Sequence, residues 1–543
     1  MNLISKAKAW LDQDPDPQTR SELSELIGLG NTAELESRFA GRLEFGTAGL
    51  RGELGAGPNR MNRVVVAQAA LAIAQFLKNS GDTYLDSEGK LSAVIGYDAR
   101  VNSDIFARDT AEIFQAAGIT AKLFSLAVPT PVAAFTGKRL SASATIVVTA
   151  SHNPPRDNGY KVYLGGPNGC SQLISPQDGE IAALIEKIAL ETTFAAIPKS
   201  SDYQILGQSE VDGYISRAAE LVMHQRSGRG DLGITYTALH GVGYEVVAEL
   251  FAEVGFHIDS VPEQQTPDGS FPTVKFPNPE EPGAMDLSFE LAQKLHSDII
   301  IANDPDADRL AVGVRTDSGY QMLTGDQVGL LLAEATVSSG KKGTVANSIV
   351  SASLAPLAKH YGVEYRQTLT GFKWISKVPN LSYGYEEALG YCVDPSHTPD
   401  KDGISAALII AELAAELKQQ GRNLKDLLAE LAERYGHLAT GQVSIRVSDL
   451  SVISKIMAGI RANPPVKVLG AEISFEDLES GNRFPRTNGV ILESDQIRVI
   501  IRPSGTEPKL KCYLQATADS AKSAEALLEN LKDWASELLA SHQ

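Results

Sequence analysis

Cysteine is scarce in this chain. Only Cys170, Cys392 and Cys512 occur in 543 residues. They lie too far apart for a C-x-x-C motif or a zinc-finger spacing. Such thiols are ordinary buried or idle groups, and the pattern fits a reduced cytoplasmic setting. Long apolar runs are also missing. No stretch approaches the ~20 apolar residues that a membrane span needs. The opening MNLISKAKAWLDQ is broken by Lys6 and Lys8, unlike a signal peptide. Positive charge is in deficit, with 49 Lys+Arg against 67 Asp+Glu and a formal net charge of -18. A general nucleic-acid binder needs a basic footprint, so that class is excluded. An anionic small substrate is not excluded, because a pocket can be locally basic on an acidic protein and bulk charge speaks mainly to solubility. No low-complexity tract or short-period repeat interrupts the sequence. The expectation is a soluble cytoplasmic protein, a monomer or homodimer, with a small-molecule partner and neither nucleic acid nor membrane.

What is present is an ordinary globular composition, 43% hydrophobic and 21% charged. The length implies about three to five domains. Strand-like and helix-like segments alternate. Leu91 to Asp98 reads as a strand, Asp104 to Gly118 as an amphipathic helix with a glycine stop, and TAKLF and ATIVV as further strands. This alternation predicts α/β units with mixed, mostly parallel sheets. The pattern restarts at Asp231 to Phe256, passes a Pro/Gly-rich loop over 264–284, and reaches a strand at Ser297 to Asp304. A third unit begins near Gly319 and ends in a long helix, Ile404 to Gly421. After His437 the strands come in succession and a terminal helix follows, which predicts a smaller α+β domain.

Four loops carry chemistry. The first, TASHNPPRDNGYK (149–161), sets Ser151 beside His152 after a buried strand, with Lys161 downstream. A hydroxyl so placed is suited to carry a covalent group, although neighbours in sequence rarely share one proton. The second, NDPDADR (303–309), alternates Asp304, Asp306 and Asp308 at the end of an apolar strand. Hard oxygen ligands select Mg²⁺ or Ca²⁺ over zinc. The EF-hand reading fails, because Arg309 and Arg315 stand where it needs Gly and an acid. The third combines TGFKWI (370–375), which holds Gly371 and Lys373, with GYEEALGY (384–391). Glu386 and Glu387 can accept hydrogen bonds from sugar hydroxyls or cap a helix. The fourth, RPSGTEPKLK (502–511), gathers Arg502, Ser504, Gly505 and Thr506 into a turn rich in donors. Such a turn suits a phosphate cradle or is an ordinary turn with a charged rim, and it is not a Walker loop, because GxxxxGK[ST] is absent.

In this order the four loops resemble the α-D-phosphohexomutase superfamily of phosphoglucomutases, phosphomannomutases, phosphopentomutases and phosphoglucosamine mutases. The likeness spans nearly the whole chain and includes LEFGTAGLRG (43–52), with Arg51 at the family's arginine. It implies four domains around one central cleft, here 1–228 for the phosphoserine, 229–318 for the metal, 319–436 for sugar recognition and 437–543 for phosphate binding. It also implies Ser151 as the phosphoserine. Asp304, Asp306 and Asp308 would hold Mg²⁺ with a Ser151 phosphoryl oxygen. Arg309, Lys161, His152 and Arg51 would stand near the transferred group. Gly371, Lys373, Glu386 and Glu387 would bind the sugar, and Arg502, Ser504, Gly505 and Thr506 the other phosphate. A sugar bisphosphate of the glucose 1,6-bisphosphate type would be the activator. His152 and Lys161 are both candidates for the general base. Many glucose- and mannose-type members carry Gly-Glu-x-Ser where this chain has Tyr385-Glu386-Glu387-Ala388. That form is more similar to the branch of phosphoglucomutase-2-type enzymes and phosphopentomutases. Glucose phosphate is the first expectation, with mannose and pentose phosphates as alternatives. A metal-dependent phosphohydrolase is the reading from another class.

Overall fold

The computed structural model describes residues 2–46, 49–222, 228–447, 449–503 and 509–542. Three mixed sheets follow one another along the chain, and a fourth, antiparallel sheet closes it. In the first, Ala144–Val148, Ser92–Tyr97, Thr120–Phe124 and Gln204–Leu206 run parallel, and Asp157–Leu164 returns antiparallel to Ala144–Val148. In the second, Ile299–Asn303 pairs parallel with Ile234–Thr237 and antiparallel with Leu310–Thr316. In the third, Thr344–Ser348 lies between parallel neighbours Glu364–Thr368 and Leu381–Glu386, and Gly390–Cys392 returns antiparallel to Leu381–Glu386. The last sheet orders His437–Arg446, Lys509–Ala518, Ile497–Pro503, Val490–Glu493 and Ser474–Asp477. The strand Gly319–Met322 pairs with Leu310–Thr316, so it completes the second sheet rather than opening the third.

The central strands are β-branched or small, and they are buried on both faces because helices cover each side. All five residues of Ala144–Val148 and of Ile299–Asn303 are buried. The covering helices start where the sequence supplies a cap. Asn62 accepts from Val65 N to open Arg63–Asn79, and Asp402 accepts from Ile404 N and Ser405 N to open Gly403–Gln419. Both helices are apolar almost all round, and both are almost wholly buried. Three helices, Leu3–Gln13, Pro17–Gly28 and Thr32–Phe39, precede the first sheet and pack into its core through Ala7, Trp10, Leu23, Leu35 and Phe39. A second apolar core runs from the first unit through the second and third, and the last unit has its own. Among the described residues no helix is long and apolar enough to cross a membrane.

This architecture gives each chemical loop the same setting. The segments 149–156, 304–309, 387–389 and 504–508 each join a strand to the antiparallel strand that returns beside it. The fourth segment lies outside the described residues.

Candidate active site

Ser151 is 2% exposed and sits at φ 51°, in the left-handed region. A non-glycine residue persists there when its surroundings over-determine it. Here the surroundings are Thr149 Oγ1, which accepts from Ser151 N at 2.9 Å, and Arg100, which donates to Ser151 O at 2.6 Å. The Ser151 hydroxyl donates to Asp304 Oδ2 in the second unit and lies 3.2 Å from His152 Nδ1. Arg51, on the strand Leu50–Glu53, donates to Asn153 Oδ1 at 3.1 Å. Burial, followed by the charges of Arg309 and Arg51, holds the His152 imidazole well below its usual range, so the ring is neutral.

Asp304, Asp306 and Asp308 are 0%, 0% and 1% exposed, and a ligand oxygen from each lies within 4.8 Å of the others. Three buried carboxylates repel one another and demand cations. Lys161 Nζ meets Asp306 Oδ2 at 2.5 Å and Asp308 Oδ2 at 2.6 Å. Lys401 adds a contact to Asp308 at 3.1 Å, and Thr130 donates to Asp306 at 2.5 Å. Burial works against the charged form of Asp306, as does Asp308, yet Lys161 and Thr130 outweigh them and hold its carboxyl below the usual range. Among the described residues no lysine meets Asp304. Burial and then its two acidic neighbours push it well up. Arg309 Nε stands 4.0 Å from Asp304 and 3.9 Å from Asp308. Among the described residues Asp306 Oδ1 and Asp308 Oδ1 have no hydrogen-bond partner. Three buried carboxylates, two of them with an orphaned oxygen, and a hydroxyl beside them form the hard-oxygen set that Mg²⁺ takes, so the residues fit that ion.

Sequence reasoning treated Lys161 as part of the serine loop. It lies instead on the returning strand Asp157–Leu164, opposite Val147, which aims its side chain across to the Asp loop of the second unit. Glu386 ends the strand Leu381–Glu386. Burial raises its carboxyl, opposed by Lys401 and Arg309, so it faces the same cluster. Lys373 stands in the short helix Phe372–Ile375 after Gly371, whose φ is 116°. Burial lowers its ammonium, opposed by Asp178, and the charges of Arg502 and Glu386 also reach it. Glu387 turns the other way. Ser351 Oγ donates to it at 2.8 Å and Ser348 Oγ at 3.3 Å. Arg502 is described, on Ile497–Pro503, whereas Ser504, Gly505 and Thr506 lie outside the described residues. Thr130, Lys401 and Arg100 were missed. Each is far in sequence from the loop it touches, and no local motif marks it.

Comparison with known proteins gives this geometry a lineage. The alpha/beta/alpha domains I, II and III of phosphoglucomutase/phosphomannomutase match residues 42–192, 212–319 and 324–435. The C-terminal domain of the same family matches 443–532. The chain belongs to the α-D-phosphohexomutase superfamily. It is similar to the "Probable phosphomannomutase" of Haemophilus influenzae, 47% identical over 487 residues that cover 88% of this chain and 98% of that one. The human protein named phosphopentomutase is 34% identical over 598 residues, covering 99% and 95%. Among solved structures, the fold matches pp63/parafusin from Paramecium with a TM-score of 0.70 at 18% identity, over 92% of this chain and 96% of that one. Membership makes the chain an enzyme, an intramolecular phosphotransferase of a magnesium-dependent superfamily. The expected four-unit α/β architecture is the one observed.

Proposed function

We propose that the enzyme moves a phosphoryl group between C1 and C6 of a hexose phosphate, with glucose 1-phosphate as the preferred substrate and a phosphorylated Ser151 as the carrier. One observation carries the reading. The Ser151 hydroxyl is bonded to Asp304, 153 residues away in another unit, inside a cluster of three buried carboxylates. A simple hydrolase needs no second phosphate grip, yet Arg502 and Lys373 add positive charge within electrostatic reach of each other, and Glu386 also acts on Lys373.

In this reading phosphoserine 151 gives its phosphoryl group to the free hydroxyl of a sugar monophosphate. The Ser Oγ–P bond breaks, a sugar O–P bond forms, and the hydroxyl proton passes to the neutral His152, because Lys161 already carries its proton against Asp306 and Asp308. The sugar bisphosphate turns over and returns its other phosphoryl group to Ser151, with the proton going back to the leaving oxygen. Phosphoryl transfer asks for positioning and charge neutralisation rather than covalent work. Arg51, Lys161 and Arg309 meet the charge on the moving group. Mg²⁺ held by Asp304, Asp306 and Asp308 would neutralise the phosphoryl oxygens. Glu386 accepts from sugar hydroxyls, and Arg502, with Ser504, Gly505 and Thr506, holds the stationary phosphate. The units 1–228, 229–318, 319–436 and 437–543 supply carrier, metal, sugar and phosphate parts, the second extended through Met322 by its pairing strand. A sugar bisphosphate primes Ser151, and the enzyme works in the cytoplasm.

A second reading, pentose phosphate, is favoured by two features. Ala388 stands where glucose-type loops have serine, and relatives of 34–35% identity named phosphopentomutase and "Probable phosphoribomutase" cover nearly the whole chain. A coupled assay comparing glucose-, mannose-, ribose- and glucosamine-phosphate, each primed with its bisphosphate, decides between them. Ser151→Ala should abolish isomerisation and the uptake of labelled phosphate while its melting temperature stays within a few degrees. Near wild-type turnover in that variant, or net hydrolysis without isomerisation in the wild type, overturns the proposal.

A further inference from the structure

Arg100 belongs to none of the four loops. It stands in the turn after the strand Ser92–Tyr97 and is 3% exposed. Its guanidinium gathers the serine loop from beneath. Nη2 donates to the carbonyls of Ser151 and Asn153, both at 2.6 Å. Nη1 donates to those of Pro154 at 2.8 Å and Asp157 at 3.0 Å. Nε faces Asp98 Oδ2 at 3.5 Å. Four carbonyls converging on one plane match the fixed fork of arginine, and the three donors of a lysine cannot span them.

The face of that plane is covered from another unit. The Phe271 ring, 2% exposed, lies with its centroid 4.8 Å from Arg100 Cζ. Phe271 sits in the Pro/Gly-rich loop of the second unit, whose backbone presses on the Arg100 turn. A Cβ at Gly269 would stand 2.6 Å from Ala99 O and 2.8 Å from Arg100 Cα. The same loop is tied to its own unit where Asp268 N donates to His240 O at 2.9 Å. The loop that carries the reacting hydroxyl and the unit that carries its carboxylate partner therefore meet at Arg100.

We infer that Arg100, clamped by Phe271, is a positioning residue that fixes the Ser151 loop against the Asp304 loop and acts on turnover rather than on substrate affinity. The inference rests on the reading of Ser151 as the phosphate carrier. The contacts of Arg100 are with loop carbonyls, Asp98 and Phe271, whereas the sugar phosphate is gripped by Glu386, Lys373 and Arg502. A loop freed to drift moves the reacting oxygen and leaves that grip intact. A displacement of about 1 Å in such an arrangement costs on the order of 100-fold in rate.

The test uses the full-length enzyme with Mg²⁺, glucose 1-phosphate and glucose 1,6-bisphosphate, and counts active sites by labelled phosphate on Ser151. Arg100→Lys should lower kcat per labelled serine by about 30-fold or more and leave KM within about 3-fold. Phe271→Leu should lower kcat per labelled serine by about 3- to 10-fold, and it keeps the test open if Arg100 variants fail to fold. A purely structural role would lower the melting temperature and the number of labelled sites without changing turnover per site. Turnover per site within about 2-fold of wild type in Arg100→Lys, or in Phe271→Leu where the former does not fold, overturns the inference. Ser151→Ala separates the two claims. Activity in that variant sinks the carrier reading itself, whereas its loss beside full turnover in Arg100→Lys sinks the role of Arg100 alone.

Discussion

Lys161 shows how one side chain serves stability and chemistry at once. It is 6% exposed and its ammonium closes on two carboxylates that are themselves buried. Burial alone would favour the neutral amine, but Asp306 and Asp308 outweigh it and keep the group charged. Removing one member of a buried ion pair leaves the other uncompensated, at a cost of about 3–5 kcal/mol. A divalent cation held by the Asp cluster would balance the same carboxylate charge. Lys161→Met should therefore melt at a clearly lower temperature than wild type in chelator, recover most of the loss in Mg²⁺, and bind Mg²⁺ more tightly. Thermal melts with and without chelator, and a calorimetric Mg²⁺ titration, check this. An unchanged melt in chelator would mean that the ammonium does not balance the Asp cluster. Asp306→Asn tests the cluster from the other side. It removes one ligand and should raise the Mg²⁺ concentration for half-maximal activity by roughly 10-fold or more.

At the scale of elements, the recurring device is a loop between a buried strand and its antiparallel return. It explains what could be read from the sequence and what could not. Ala144–Val148 and Ile299–Asn303 were legible because a short apolar run bounded by turn residues has one economical fold. Ser151, Asp304 and Asp306 were legible for the same reason, since each follows the end of such a run. The returning strand Asp157–Leu164 was hidden, because its polar start reads as a continuation of the loop. Thr130, Lys401 and Arg100 were hidden because nothing local marks a residue whose partner is 176, 93 or 51 positions away. The loops also press on one another. Val242 N donates to Pro305 O at 2.8 Å, and a Cβ on Gly241 would stand 2.3 Å from Pro305 Cα. Gly241→Ala should push the Asp loop outward, destabilising the protein by roughly 1–3 kcal/mol and raising the Mg²⁺ concentration it needs for half-maximal activity. A melt together with a Mg²⁺ titration of activity measures both, and a variant that matches wild type in each would show that the two loops are free to part.

Across the whole molecule, buried acids stand at the seams between units, and their protonation links stability to pH. Between the first and third units, Tyr214 donates to Asp402 at 2.8 Å and Tyr163 to Asp400 at 2.6 Å. Between the third and fourth, Gln515 Nε2 donates to Ser351 O at 2.9 Å, and the Ser351 hydroxyl donates to Glu387. Burial, reinforced by Glu386, pushes Glu387 from 4.5 up to about 7, and burial pushes Asp402 from 3.8 up to about 6. A raised carboxyl means that the folded state binds the extra proton, so stability is full below the unfolded value and declines as pH rises through the folded one. For Glu387 that window runs from 4.5 to about 7, and for Asp402 from 3.8 to about 6. At 1.36 kcal/mol per pKa unit each group costs on the order of 3 kcal/mol above its window. The neutral His152 acts in the opposite sense, because its lowered value makes stability rise with pH. The measurement is therefore the difference between wild type and Glu387→Gln/Asp402→Asn, in which the His152 contribution cancels. The variant keeps acceptors for Ser351, Tyr214 and the helix cap, and it should gain on wild type steadily from pH 4.5 to 7.5. A difference that stays constant over that range would show that neither acid holds its proton in the folded enzyme.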